Sequence, residues 1–209
     1  MKHDSKRPAT TMFDIRHEFS KYGEYHANKI NVAIHMVFVP TILWCSVGLT
    51  TALTPQHLFA YPKPVSTALD WLPGPNPLPN ASAIYVLGCA LFYLALDQVA
   101  GLLIAPLLYT ILVSSQEYAL GGSPGSTKVL LAVFVVAWAA QFVGHGVFER
   151  RAPALLDNLM QALVMAPFFV FLEVLFACGY RPDLHRQLRS EIGTRILAFR
   201  RSQKPSKKD

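Results

Sequence analysis

Two short stretches of this chain set histidine, carboxylate, amide and arginine side chains at spacings that chemistry can use. In the first, Tyr22 to Pro40, the residues Glu24, His26, Asn28, Asn31 and His35 lead into an apolar segment. In the second, Gln141 to Asn158, His145 and Glu149 stand four residues apart and are followed by Arg150, Arg151, Asp157 and Asn158. A four-residue step puts two side chains on one helix face, a natural arrangement for two metal ligands or for a ligand and a base. Polar groups at membrane depth are costly unless they are paired or bind something. The expectation is therefore that the two stretches meet in space and hold a metal between hydrophobic helices. Gly144 and Gly146 flank His145 and permit close backbone approach. The arginines at 150 and 151 suit a carboxylate partner.

Helical spacing decides which of these residues face one another. Glu24, Asn28, Asn31 and His35 are separated by four, three and four residues and share one face of a continuous helix. His26 precedes His35 by nine residues and would point nearly the opposite way. Both histidines reach one site only if the chain bends between them, near Gly23 or around Asn28. Asn28 and Asn31 read equally as partners that orient imidazoles or as interhelical hydrogen bonds. Asp97 could be a ligand, a proton relay or a helix cap, and the cap is the favoured reading. His3, His17, His57 and His185 fall in polar or loop contexts and are read as solvated. Glu173 sits in an apolar run with no partner assigned.

The elements that must position these residues are apolar helices. The chain has 209 residues, of which 52% are hydrophobic and 15% charged, and its average hydropathy is positive. The apolar residues are clustered into runs, which gives an all-α, polytopic membrane bundle of four to five membrane helices with amphipathic terminal helices. The expected organisation is a disordered N-terminus over 1–12, a membrane-embedded domain over 13–180 and a basic cytosolic tail over 181–209. Phe13 to Tyr25 reads as a short surface helix. Ile30 to Leu53 is a first span, kinked or interrupted at Pro40. Thr54 to Ala81 is a proline-rich loop on the non-cytosolic side. Ala83 to Val113 is long for one straight span and is interrupted around Asp97 and Gly101. Gln116 to Ser126 reads as a polar turn, Val129 to Val143 as another span, and the last helix starts near Pro153 and bends at Pro167. Both flanks are basic, so an even number of crossings is expected: four, or five helices with one re-entrant.

No secretory signal is visible, so the first span would act as its own insertion signal. Cys45, Cys89 and Cys178 lie in apolar runs without CxxC spacing and read as small buried hydrophobes. The net charge of +6 comes mainly from the tail, where Arg181 to Asp209 holds nine basic residues against three acidic ones. A membrane-facing flank explains it better than nucleic acid does. His185 to Arg201 is a basic amphipathic helix with Leu184, Leu188, Ile192, Ile196 and Phe199 near one stripe. There is no HxxHH or HxxxH box, Walker loop, GxGxxG or GxSxG.

The pattern Tyr22-x3-His26-x4-Asn31-x3-His35, with Pro40 beyond, resembles the 2-hydroxy fatty acid dioxygenases of fungi and bacteria. So does Gln141-Phe142-x-Gly144-His145-x3-Glu149-x-Arg151-x-Pro153-Ala154-Leu155-x-Asp157-Asn158, the more specific block. The resemblance covers roughly Phe13 to Gly179 and leaves out the proline-rich loop and the tail. It implies a multi-pass endoplasmic reticulum enzyme that uses Fe(II) and O2 to shorten 2-hydroxy fatty acids by one carbon, as in phytosphingosine breakdown. It also implies His26, His35 and His145 as the iron ligands. Glu149 is then expected as a fourth ligand or an orienting group, and Arg150 or Arg151 as the receptor of the substrate carboxylate. Two other classes compete on sequence grounds: a small transporter or metal carrier, and a non-catalytic scaffold whose polar stretches only join helices.

Overall fold

A computed structural model describes residues 14–151 and 161–202. The described elements are all helical: α1 (Ile15–Gly23), α2 (Lys29–Leu53), α3 (Lys63–Leu69), α4 (Ala81–Leu96), α5 (Gln98–Leu120), α6 (Ser126–Val143), a π-helical turn (Gly144–Glu149), a second π-helical turn (Gln161–Met165), α7 (Ala166–Ala177) and α8 (Pro182–Ser202). Among the described residues, three helices are long and apolar enough to cross a membrane: Lys29–Leu53, Gln98–Leu120, and α6 continued through its π-turn, Ser126–Glu149. Their outer faces carry exposed aliphatic side chains such as Val37, Leu102 and Val136, each about 60% accessible. Apolar exposure on that scale fits a hydrocarbon surround and not water.

Short polar caps start the helices. Asn28, Asn80 and Asp97 each accept from the N–H groups of the second and third residues of α2, α4 and α5. α2 is helical without interruption through Pro40. α2 lies at the centre of the bundle and touches α4, α5, α6 and α7. The apolar stretch from Ala83 to Val113 forms an antiparallel hairpin. Its tip is Asp97, and the close approach of the legs depends on Gly101, where a Cβ would lie 2.7 Å from the Leu94 backbone nitrogen. At the tip Asp97 also accepts from Tyr180 Oη at 2.9 Å and pairs with Arg181. The cap reading of this residue is therefore the one the structure supports, with a second task of holding the α7–α8 junction.

The far end of the bundle is closed by a buried polar knot. Gln116 Nε2 donates to Asn80 Oδ1 and Ser82 Oγ at 3.2 and 3.0 Å, and Gln116 Oε1 accepts from the Leu78 N–H at 2.7 Å. Thr51 Oγ1 lies 3.0 Å from Ser82 Oγ. The sequence pattern assigns Gln116 to a turn, but α5 continues to Leu120 and buries this side chain because three partners satisfy it.

α7 ends where the chain left α6. Arg151 donates to the Glu24 carbonyl beside α1, and Phe176 meets Phe19 of α1 edge-on at 5.4 Å. Between these points, Leu163 O and Val164 O accept from Tyr85 and Tyr93 on α4, away from that end. α2, α4, α5 and α6 thus traverse the bundle while α7 returns to the side of its departure. Pro167 stands in the first turn of α7, directly after the second π-helical turn. Pro153, Asp157 and Asn158 lie outside the described residues, as does Phe13.

α8 turns 119° from α7. Its apolar stripe is taken up by protein: Leu184 and Leu188 are buried, and Ile192 sits on Gly23 of α1. His185 stacks on Phe176 at 4.7 Å and is not simply solvated. Cys45 and Cys89 are buried as expected, whereas Cys178 is exposed because it stands at the C-terminal end of α7.

Candidate metal centre

His26, His35 and His145 come from three different local structures and converge. α1 stops at Gly23 and α2 starts at Lys29, so the chain turns over residues 24–28 and swings His26 back toward α2. This is the bend that the nine-residue separation required. His35 lies in α2 itself. His145 lies in the π-turn that ends α6. A π-turn holds more residues than an α-turn, so it rotates the side chains on its far side relative to those of the helix before it. The approach to α2 is close: a Cβ on Gly144 would stand 2.4 Å from Asn31 Oδ1.

The three imidazoles are buried, and one ring nitrogen from each lies within 4.8 Å of the others. Their centroids are 4.4 to 4.9 Å apart, with interplanar angles of 75° to 85°. His26 Nδ1 lies 2.8 Å from Tyr22 O, and His35 Nδ1 lies 2.9 Å from Asn31 O. A carbonyl can only accept, so both Nδ1 atoms carry the proton and both Nε2 atoms keep a lone pair. His26 Nε2 and His145 Nδ1 are buried without a protein partner. Buried, unpaired nitrogens are unfavourable in an empty cluster and are what a metal would satisfy. Three neutral nitrogen donors with further coordination positions open fit a non-haem Fe(II). Tyr22, whose spacing alone points to no task, stacks on His26 at 3.9 Å and 14° and holds the ring flat.

Glu149 is at the site but turned to the backbone. Its carboxylate accepts from the N–H groups of Ala27 and Asn28 at 3.1 and 2.9 Å, and from Asn31 Nδ2 at 3.1 Å. Asn28 returns the contact by donating to Phe148 O at 3.1 Å. The Arg151 guanidinium lies over the rings of Tyr25 and Phe199, at 3.7 and 4.2 Å, and 3.7 Å from the Glu24 carboxylate. Arg150 is exposed and adopts the left-handed conformation, φ 55°, that ends the π-turn. Asp97 and Glu173 are not part of the cluster. The contact of Phe199, in the tail, with Arg151 has only a faint sequence signal, its place on the apolar stripe of α8.

Burial, reinforced by the neighbouring His35 and His145, holds the His26 pKa well below its usual 6.5. The unfolded chain then binds more protons than the folded one as pH falls through about 6.5. For the metal-free protein, the stability tied to a neutral His26 is full above that pH and is lost progressively below it. Thermal unfolding in detergent should show a midpoint that falls between about pH 7 and about pH 5, with His26→Gln less sensitive. Equal acid sensitivity in both proteins would contradict a neutral, buried His26.

Residues 12–178 match the family model described as 2-hydroxy-palmitic acid dioxygenase Mpo1-like. The chain is 34% identical over 181 residues to the 2-hydroxy-palmitic acid dioxygenase MPO1 of Saccharomyces cerevisiae, an alignment covering 87% of this chain and 91% of the yeast protein. No solved structure matches. The matched region contains all three histidines, Glu149 and Arg151, and on that match this chain belongs to the Mpo1-like 2-hydroxy-palmitic acid dioxygenase family.

Proposed function

We propose that this chain is an Fe(II)-dependent, membrane-embedded dioxygenase that converts long-chain 2-hydroxy fatty acids and O2 to fatty acids one carbon shorter. The observation that carries the reading is the buried three-imidazole cluster in a chain of this family. His26, His35 and His145 would hold the iron, which when bound supplies a centre for oxygen activation and for chelation by the substrate carboxylate and 2-hydroxyl oxygens. The protein contributes the rest. The Tyr22 and Asn31 carbonyls set the tautomers of two ligands. Tyr22, and the glycine-permitted contact of Gly144 with Asn31, keep the cluster tight and dry. Of the two arginines expected to receive the carboxylate headgroup, Arg150 is exposed at the end of the π-turn and would meet it there, because Arg151 is engaged by Glu24. The alkyl tail would lie among the apolar helices.

We place the activity in the endoplasmic reticulum membrane and in the breakdown of phytosphingosine. The family resemblance supports that assignment, and the apolar helices support a membrane setting in place of a nucleic-acid partner. The test is a product assay on detergent-purified protein supplied with a long-chain 2-hydroxy fatty acid, O2 and Fe(II). The expected product is the acid one carbon shorter, lost on adding a ferrous chelator and restored by Fe(II) in excess. Turnover that persists through chelation would overturn the metal dependence.

A further inference from the structure

Resting on that metal reading, we propose that Glu149 is a positioning residue that assembles the site by holding the His26-bearing turn, and is not itself a ligand. His35 and His145 lie in helical turns, but His26 is carried by the non-helical residues 24–28. That turn needs an anchor, and Glu149 supplies one from a segment about 120 residues away in the chain. Oε2 receives Ala27 N–H, Asn28 N–H and Asn31 Nδ2, Oε1 shares the Ala27 N–H, and neither oxygen joins the three-histidine cluster. The donors are the backbone groups that lead into α2, where the helix dipole favours a negative charge. Asn31 joins both tasks: its side chain donates to Glu149 and to Tyr25 O, and its carbonyl receives His35 Nδ1. One carboxylate therefore sets the place of His26 and the approach of α2 to the π-turn carrying His145. The outer wall of the clasp is Arg151, which bonds Glu24 O at 3.0 Å and lies over Tyr25.

The test is a Co(II) titration of the full chain in detergent, read by visible absorption, for the wild type, Glu149→Gln and Glu149→Asp. The Gln116→Ala variant serves as control, since it weakens the bundle at the end far from the histidines. A positioning role predicts that Glu149→Gln binds Co(II) about 10–100-fold more weakly, while its saturated spectrum keeps the wild-type band positions. Glu149→Asp, which retains the charge, should lose less. Gln116→Ala should melt at lower temperature with unchanged Co(II) affinity. A shifted ligand-field spectrum at saturation would make Glu149 a ligand, and an unchanged affinity would remove its role altogether. If Gln116→Ala weakened Co(II) as much as Glu149→Gln, the effect would be general stability and the proposal would fall. A wild-type chain that bound no Co(II) would instead defeat the metal reading on which all of this stands.

Discussion

Purified His35→Ala and His145→Ala should each lose the one-carbon-shorter product by more than about a hundredfold, because even groups that only support metal ligands cost 10–100-fold. The argument is the ligand count. The cluster offers three nitrogens from separate backbone segments, and no other described His, Cys, Asp or Glu joins them. Removing one leaves two, which hold a divalent ion weakly when the remaining positions must go to substrate and oxygen. The metal-free variants should nevertheless fold. His145 Nδ1 has no protein partner to lose, and the Asn31 carbonyl that receives His35 Nδ1 belongs to α2, so its backbone setting remains. The separation is therefore diagnostic: Fe(II) should raise the melting temperature of the wild type and leave both variants unmoved. His57→Ala, at an exposed loop position, should retain wild-type turnover. A folded His145→Ala that still made product at the wild-type rate would falsify the assignment of the cluster.

Gly144→Ala should come next in effect, with activity and metal affinity reduced about a hundredfold and stability lowered by about 1–3 kcal/mol, the usual cost of forced overpacking. The added Cβ would stand 2.4 Å from Asn31 Oδ1 and 3.6 Å from Ile34 Cδ1. Asn31 cannot easily give way, because its amide nitrogen is bonded to Tyr25 O at 3.2 Å and to Glu149 at 3.1 Å. The strain would be relieved by moving the π-turn from α2, and His145 is the next residue. Gly146 is the internal control, since a Cβ there meets nothing within 4 Å. Gly146→Ala should thus keep most of the activity. Equal behaviour of the two alanine variants would show that the approach at Gly144 is not what aligns the cluster.

The behaviour of α8 shows where a one-dimensional reading stops. Its apolar stripe is plain from spacing, yet spacing cannot distinguish lipid from another helix as the partner. In the structure Leu184, Leu188 and Ile192 are spent on the protein, and Phe199 covers Arg151. Gln116 makes the same point from the polar side. A glutamine near a glycine-rich stretch suggests a turn until Asn80 and Ser82 are brought to it from α4.

Much is nonetheless written locally. Apolar runs, helix caps and basic flanks act over a few residues, so they are enough to specify an all-helical membrane bundle, a break at Asp97, and two polar stretches with histidines worth uniting. The nine residues between His26 and His35 require a bend on helical geometry alone. Which groups those histidines and carboxylates find is settled by packing in three dimensions. Glu149 reads as a ligand, a base or an orienting group until the N–H groups of Ala27 and Asn28 are seen to take up its oxygens. The direction of the segment from the second π-helical turn through α7 likewise depends on contacts with α4 and α1. The physical reason is range: periodicity and capping are set by neighbours in sequence, whereas a buried polar atom must be satisfied by whatever the packed helices bring within hydrogen-bond distance.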